Sequence, residues 1–474
     1  MKLNRNWMIR SHIHEKEIDR NIAASLTDKL EPIELDPFQI TLLDVYPTHD
    51  QKKFKKRFAS FLNSHKRYGF ESQPERKLAE LIDSFDSYKG IAWGSIFHND
   101  FKNNNELDLI DRVQYSYIKG PSSSFLILFR ISPSDIYKKL FKQALEIEPY
   151  DQHTFEYYNL TQAWRNKRIL ATIAGKPVYP NKYVTKVSNE LKFQFQKLAK
   201  KGVGMGTYTC SKKYLYPSIS IYEYSGVTDL TNWKNLEPYL RIGYRDLYKT
   251  KDSRYAVNYP YPDLVKEPSY DVIALYPKLD EEQERKDSWN TTYNLSRLLV
   301  DGIAANWMFT NECVRHRTQL STLDRSISKY SNSKRDSVFL KRTLYLSKKL
   351  TYRWYSLNRF GTDFSHRVFN RYHDIPDYFN DSLKSIKGEE LTLTKEVTKS
   401  TKYIFDETMK TYDNLLSYFK VLSQDNQTRS SMRLQAILLI IAIIGTILAL
   451  ATSDYIMPFL KPVLEKWLNI KFPK

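Results

Sequence analysis

Only two cysteines, Cys210 and Cys313, occur in 474 residues, too few for a disulfide framework and without metal-ligand spacing, so a reducing environment is expected for the folded part. The opening residues, MKLNRNWMIRSHIHEKEIDR, carry charge but no following apolar run; this argues against a cleaved secretory signal and for a cytoplasmic bulk. The Asn-x-Ser/Thr triplets at Asn159 and Asn294 then carry no meaning, since such triplets matter only on secretion. Catalytic signatures are missing too. No G-x-S-x-G elbow, Walker pattern, H-E-x-x-H or Cys-His zinc pattern is present, so no enzyme activity is expected. The closest histidine groupings, His12 with His14 and His366 with His373 and Asp374, do not supply the three or four converging ligands of a metal site. No metal and no cofactor are expected.

What the chain does have is length, aromatics and positive charge. A hydrophobic share of 41% and an aromatic share of 14% exclude a disordered chain and predict two or more folded units. The formal charge of +19 points to anionic partners: the bilayer's anionic leaflet first, an anionic small ligand or nucleotide next, nucleic acid behind them.

Residues 1–278 read as a cytoplasmic α/β or α+β domain. The runs IELDPFQITLLDVY, GIAWGSIF, RVQYSYI, SFLILFRI, YPSISIYEY and YDVIALY are β-branched or aromatic and bounded by turn-forming residues, which predicts strands. RVQYSYI and SFLILFRI are joined by KGPSS, a hairpin signal. Helical patterns fall at 52–65, 74–87, 134–148 and 187–200, and the Tyr- and Pro-rich stretch 214–278 is a candidate subdomain.

Beyond Leu279 the strand signals stop, and 279–433 reads as a long α-helical stalk. Helices are expected over 281–328, over 336–372 with an interruption near Gly361, and over 389–422. In the last, Phe405, Met409, Tyr412, Leu416 and Phe419 alternate by four and three residues, the spacing of a coiled-coil seam. Two readings stay open: a seam between copies in a homo-oligomer, or packing within the chain's own bundle. The linker SQDNQTRSSMR either continues the helix or acts as a hinge.

From Leu434 the sequence runs LQAILLIIAIIGTILALAT without an ionisable side chain until Asp454. About 20 apolar residues span the hydrocarbon layer of about 30 Å, so a transmembrane helix is expected over 434–453. Gly445 and Thr446 are its candidates for helix packing or pore lining. The tail, 454–474, is broken by Pro458 and Pro462 and carries Trp467, Phe472 and charged residues, which suits an amphipathic or interfacial segment. A cell-membrane protein with its bulk cytoplasmic and its N-terminus inside is the simplest topology.

Two further segments invite a chemical reading. Lys200, Lys201, Gly202, Gly204 and Gly206 lie in KKGVGMGTY, but a helical pattern precedes these glycines and a strand follows. That is the reverse of a phosphate loop, so helix capping and a turn are expected. In QKKFKKRFASFLNSHKR, Phe54, Phe58, Phe61 and Leu62 make one apolar helical face edged by Lys52, Lys53, Lys55, Lys56 and Arg57. This helix either docks its phenylalanines into the core or offers its cations to an anionic ligand or lipid.

The order of parts resembles the CorA-like family of divalent-cation transporters, most closely at DETMKTYDNLLSYFKVLSQDNQTRSSMRLQAILLIIAIIGTILALA. The resemblance implies a cytoplasmic α/β domain on long stalk helices, and a ring-shaped oligomer whose membrane helices the domain gates. The family's Gly-Met-Asn signature is absent, with ATSDYIMP in its place, and no second span is evident. No family site residue is carried over. The expected function is therefore a membrane-anchored, oligomeric sensor, effector or channel-like protein, with a passive membrane-anchored scaffold as the alternative.

Overall fold

The computed structural model describes residues 34–47, 67–68, 94–100, 107–119, 124–147, 150–157, 171–204, 206–225, 247–249, 255–260, 271–278, 292–331, 336–368 and 393–451, together with 53, 56, 57, 60, 61, 236, 239, 240, 462, 463 and 466. It divides into two compact units, Met1–Gln319 with Tyr355–Thr408 and Leu320–Trp354 with Met409–Lys474.

The first unit is built on β1 (Glu34–Pro47), β2 (Arg67–Tyr68), β3 (Gly94–Asp100), β4 (Ile110–Lys119), β5 (Ser124–Pro133), β8 (Ser218–Ser225), β9 (Leu247–Lys249), β10 (Ala256–Asn258) and β11 (Asp271–Pro277). They form one nine-stranded sheet, in the order β2-β3-β4-β5-β1-β8-β11-β10-β9. All pairs are antiparallel except β8 with β11. The α/β class is thus as expected, and β4 and β5 pair as the hairpin that KGPSS predicts. The stretch 214–278 contributes four strands to this sheet rather than building a sheet of its own. A second sheet, β6 (Tyr150–Tyr157) with β7 (Ala171–Val178), was not predicted, because YDQHTFEY intersperses its rings with Asp, Gln, His and Glu, and ATIAGKPV carries a Gly and a Pro, residues that weaken a strand signal.

Helices cover both faces of the sheet. Successive strand side chains point to opposite faces, and Phe129 packs against Phe195 of α2 (Asn181–Gly202) while its neighbour Arg130 pairs with Asp301 of α3 (Thr292–Ser331). For this reason Ile40–Tyr46 of β1 are buried without alternation, as in strands covered on both sides. Beside α2 lies α1 (Asp135–Leu145), started by Ser134, whose hydroxyl accepts from the Tyr137 amide at 3.2 Å and so satisfies one orphan donor of the first turn. Phe141 of α1 stacks on Tyr222 of β8.

Three features of the long helices bear on the expectations. First, α4 (Asp336–Val368) continues through Gly361. A Cβ there would lie 2.8 Å from two ring carbons of Phe405, and Phe309 stacks on Phe360 and lies tilted against Phe405, at 5.3 Å from each. Glycine here makes room for a ring. Gly361→Ala should cost about 1 kcal/mol net, because overpacking of about 1–3 kcal/mol outweighs the helix-propensity gain of about 1 kcal/mol; a higher urea midpoint for the variant would overturn this packing role.

Second, SQDNQTRSSMR is helical throughout, so α5 runs unbroken over Leu393–Ala451, 59 residues. Third, the seam residues are divided in their exposure: Tyr412 and Phe419 are buried, whereas Phe405, Met409 and Leu416 are half-buried. The two buried residues are already covered within the single chain, which matches packing within its own bundle. Leu320, Leu323, Leu350, Tyr412 and Phe419 are the buried apolar side chains of the second unit among the described residues.

Candidate functional site

The glycines of KKGVGMGTY take the capping role. The Val203 and Gly204 amides donate to the Ala199 carbonyl at 2.7 and 3.1 Å, closing the end of α2, and Gly204 has φ 63°, the left-handed conformation that ends a helix at little cost only for glycine. The chain then turns over the sheet, and Gly206 lies against β1. A Cβ at this position would sit 1.8 Å from Asp44 Oδ2, so only glycine allows the approach.

Asp44 holds the turn down. Its Oδ1 accepts from the Val45 amide at 2.8 Å and the Tyr208 amide at 2.8 Å, and its Oδ2 accepts from the Thr209 amide at 2.9 Å and the Thr209 hydroxyl at 2.6 Å. Thr209 Oγ1 also lies 2.7 Å from Tyr216 Oη and 3.1 Å from Tyr46 Oη. Burial pushes the Asp44 carboxyl up to about 6, against these hydrogen bonds, which pull it down. The group is therefore ionised at neutral pH while fully buried. Sequence reasoning missed it, since an Asp within LLDVY carries no local signal for a partner far along the chain.

Next to this turn the structure places part of the basic helix. Phe61 is 2% exposed and meets Tyr115 edge-on at 6.2 Å, whereas Lys53, Lys56 and Arg57 are exposed. Lys52 and Lys55 lie outside the described residues. A Cβ at Gly204 would come 3.0 Å from an Arg57 guanidinium nitrogen. At exposed Cys210, burial and the nearby Asp44 raise the thiol, while the cationic Lys200 and Arg57 oppose the rise. The core-docking reading holds for Phe61, and Arg57 stands near Gly204.

Three ion pairs complete the polar interior. Lys192 of α2, 0% exposed, donates to Asp271 Oδ1 at 2.5 Å, and the Ser218 hydroxyl donates to the same oxygen at 2.5 Å. On the other face Arg130 pairs with Asp301. Along α3, Arg315 donates in bidentate fashion to the buried Glu312, with Nε 3.0 Å from Oε1 and Nη2 2.5 Å from Oε2. Burial and then the Glu312 charge push the Tyr208 phenol well above its usual range, so Glu312 of α3 lies near Tyr208 of the turn. Each pair sets a buried side chain, Lys192, Arg130 or Glu312, against a partly buried partner of opposite charge, as structural ion pairs do. Among the described residues no cluster of three or more His, Cys, Asp or Glu is arranged to hold a metal. His12, His14 and the His373–Asp374 pair lie outside them, as does the side chain of His366.

The distal end of α5 differs from the rest of the described residues. Residues 431–446 are exposed at every position, and Leu434, Ile437, Leu438, Leu439, Ile440, Ile441, Ile443 and Ile444 are each 50–64% exposed. Five of these are consecutive and so turn through more than a full circle at about 100° per residue. Beyond its own stretch of helix backbone, Gly445 has no atom within 4 Å of the position its Cβ would take, and the Thr446 hydroxyl donates to the Ala442 carbonyl of its own helix at 2.8 Å. No helix is long and apolar enough to cross a membrane among the described residues. The side chains of 447–450 lie outside them, and so does the tail apart from exposed Pro462, Val463 and Lys466. Comparison with protein-family models, curated proteins and solved structures gives no match for this chain.

Proposed function

We propose that the chain is a membrane-anchored, oligomeric sensor or effector, in which the α/β unit takes a ligand or partner and the distal end of α5 lies in a bilayer. The observation that carries this reading is the apolar exposure on all sides of α5 beyond Leu434. A protein partner covers one side of a helix, whereas lipid covers all of it. Burying such a surface gains about 25 cal/mol per Å2. The described apolar part, 434–446, is about 20 Å long at 1.5 Å per residue, and continuing the helix to Ala451 brings it to about 27 Å, near the hydrocarbon thickness of about 30 Å.

The test is co-flotation of the full-length protein with phospholipid vesicles, followed by an alkaline wash, beside a chain ending at Ser423. The full-length protein should float and resist the wash, and the shortened chain should stay behind. Loss of the full-length protein to the wash would remove the membrane reading. Oligomer mass by detergent-corrected light scattering then separates effector from passive anchor: a defined oligomer supports the first, monomers at all concentrations the second. In the effector, Gly445→Leu or Thr446→Leu should alter ion flux across vesicles, because both positions would pack or line the path.

A further inference from the structure

The second unit carries a surface that the membrane reading does not use. Residues 336–354 of α4 read DSVFLKRTLYLSKKLTYRW, with Lys341, Arg342, Lys348, Lys349 and Arg353 against a single acid, Asp336. Within this segment Tyr345 is 64% exposed and Tyr352 73% exposed, and Lys348 and Lys349 are exposed between them. Positions 345, 348, 349 and 352 are i, i+3, i+4 and i+7, so the two rings and the two ammonium groups share one face of the helix. The rings stand about 10 Å apart along the axis, and Lys349 Nζ lies 5.9 Å from the centre of the Tyr345 ring. Leu350, on the other side, is fully buried and anchors the segment; the tyrosines are not needed for that.

We propose that this face of α4 binds single-stranded nucleic acid, with phosphates on Lys348 and Lys349 and bases stacked on Tyr345 and Tyr352. Aromatic rings interleaved with cations are how single strands are held without sequence preference, since every base has a stacking face and every nucleotide a charge. A second copy of the chain fits less well, because pairing this face with itself would bring four lysines together. A bilayer fits less well too: an interfacial helix keeps its cations on the face opposite its apolar residues, whereas here Lys348 and Lys349 share one face with the rings of Tyr345 and Tyr352. A duplex keeps its bases stacked away from the rings.

The experiment is fluorescence anisotropy of a labelled oligothymidylate of about 16 nucleotides with the full-length protein in mild detergent, over a series of salt concentrations. Wild type should bind, more weakly as salt rises. Tyr345→Ala with Tyr352→Ala should weaken binding at least tenfold, and the paired Phe variant should restore it, because the ring and not the hydroxyl stacks. Lys348→Gln with Lys349→Gln should lower the slope of log affinity against log salt by about 1.4, as each lost phosphate contact removes about 0.7. Circular dichroism of each variant confirms that α4 has formed. Absence of single-strand binding by wild type, equal binding by the paired Ala variant, or preference for a duplex would each overturn the proposal. So would a parallel loss of flotation with anionic vesicles in the Tyr and Lys variants, which would assign the face to lipid. Membrane anchoring is read separately by the alkaline wash, so either idea can fail alone.

Discussion

Asp44→Ala should lower the unfolding free energy of the α/β unit by roughly 3–5 kcal/mol, since it strands the buried amides of Tyr208 and Thr209, while the Thr209 hydroxyl keeps its tyrosine neighbours. Each unsatisfied buried donor costs about 1–3 kcal/mol. Urea unfolding of the full-length protein in mild detergent, followed by tryptophan fluorescence, measures the loss. A change below about 1 kcal/mol would mean that the turn at 206–210 does not depend on this carboxylate.

The same residue sets a pH dependence. Its folded value is raised from 3.8 to about 6, so its contribution to stability is fully present below 3.8 and is lost as pH rises through about 6. The ionised group therefore costs about 3 kcal/mol at neutral pH, at about 1.4 kcal/mol per unit. Asp44→Asn cannot titrate, so its deficit relative to wild type should be larger at pH 5 than at pH 8. A deficit independent of pH would show that Asp44 does not titrate in this window.

Asp271→Asn is the second large effect. It leaves the Lys192 ammonium, 0% exposed, without its counter-charge, while the Ser218 hydroxyl keeps an acceptor. Removing one partner of a buried ion pair costs about 3–5 kcal/mol, whereas replacing both charges is often near neutral. Lys192→Met combined with Asp271→Asn should return to within about 1 kcal/mol of wild type. If the double variant is as unstable as the single one, the loss comes from packing and not from charge.

How far these features were legible varies with the distance along the chain over which each is decided. The strands of β1, β4, β5, β8 and β11 were visible because Ile, Leu, Val, Phe and Tyr cluster within each run, and the end of α2 because its glycines follow an amphipathic pattern. The partners of Asp44 and Lys192 were not visible. Thr209 and Asp271 lie far along the chain, and only the register of β1, β8 and β11 brings them close. Neither tyrosine of the α4 face stood out, because exposure is decided by what packs elsewhere: Leu350 buries one side and leaves Tyr345 and Tyr352 on the other.

By itself the sequence determined what local periodicity and composition can carry: the α/β class, the long helices after Leu279, and the uninterrupted apolar run from Leu434. Tertiary structure alone decided that 214–278 completes the main sheet, that Gly361 receives a phenylalanine ring instead of breaking α4, and that Tyr412 and Phe419 of the expected seam are buried within the chain. The physical reason is the range of the interactions. Helix and strand propensities act over a few residues, whereas burial, ion pairing and close backbone approach depend on which distant segments share a face.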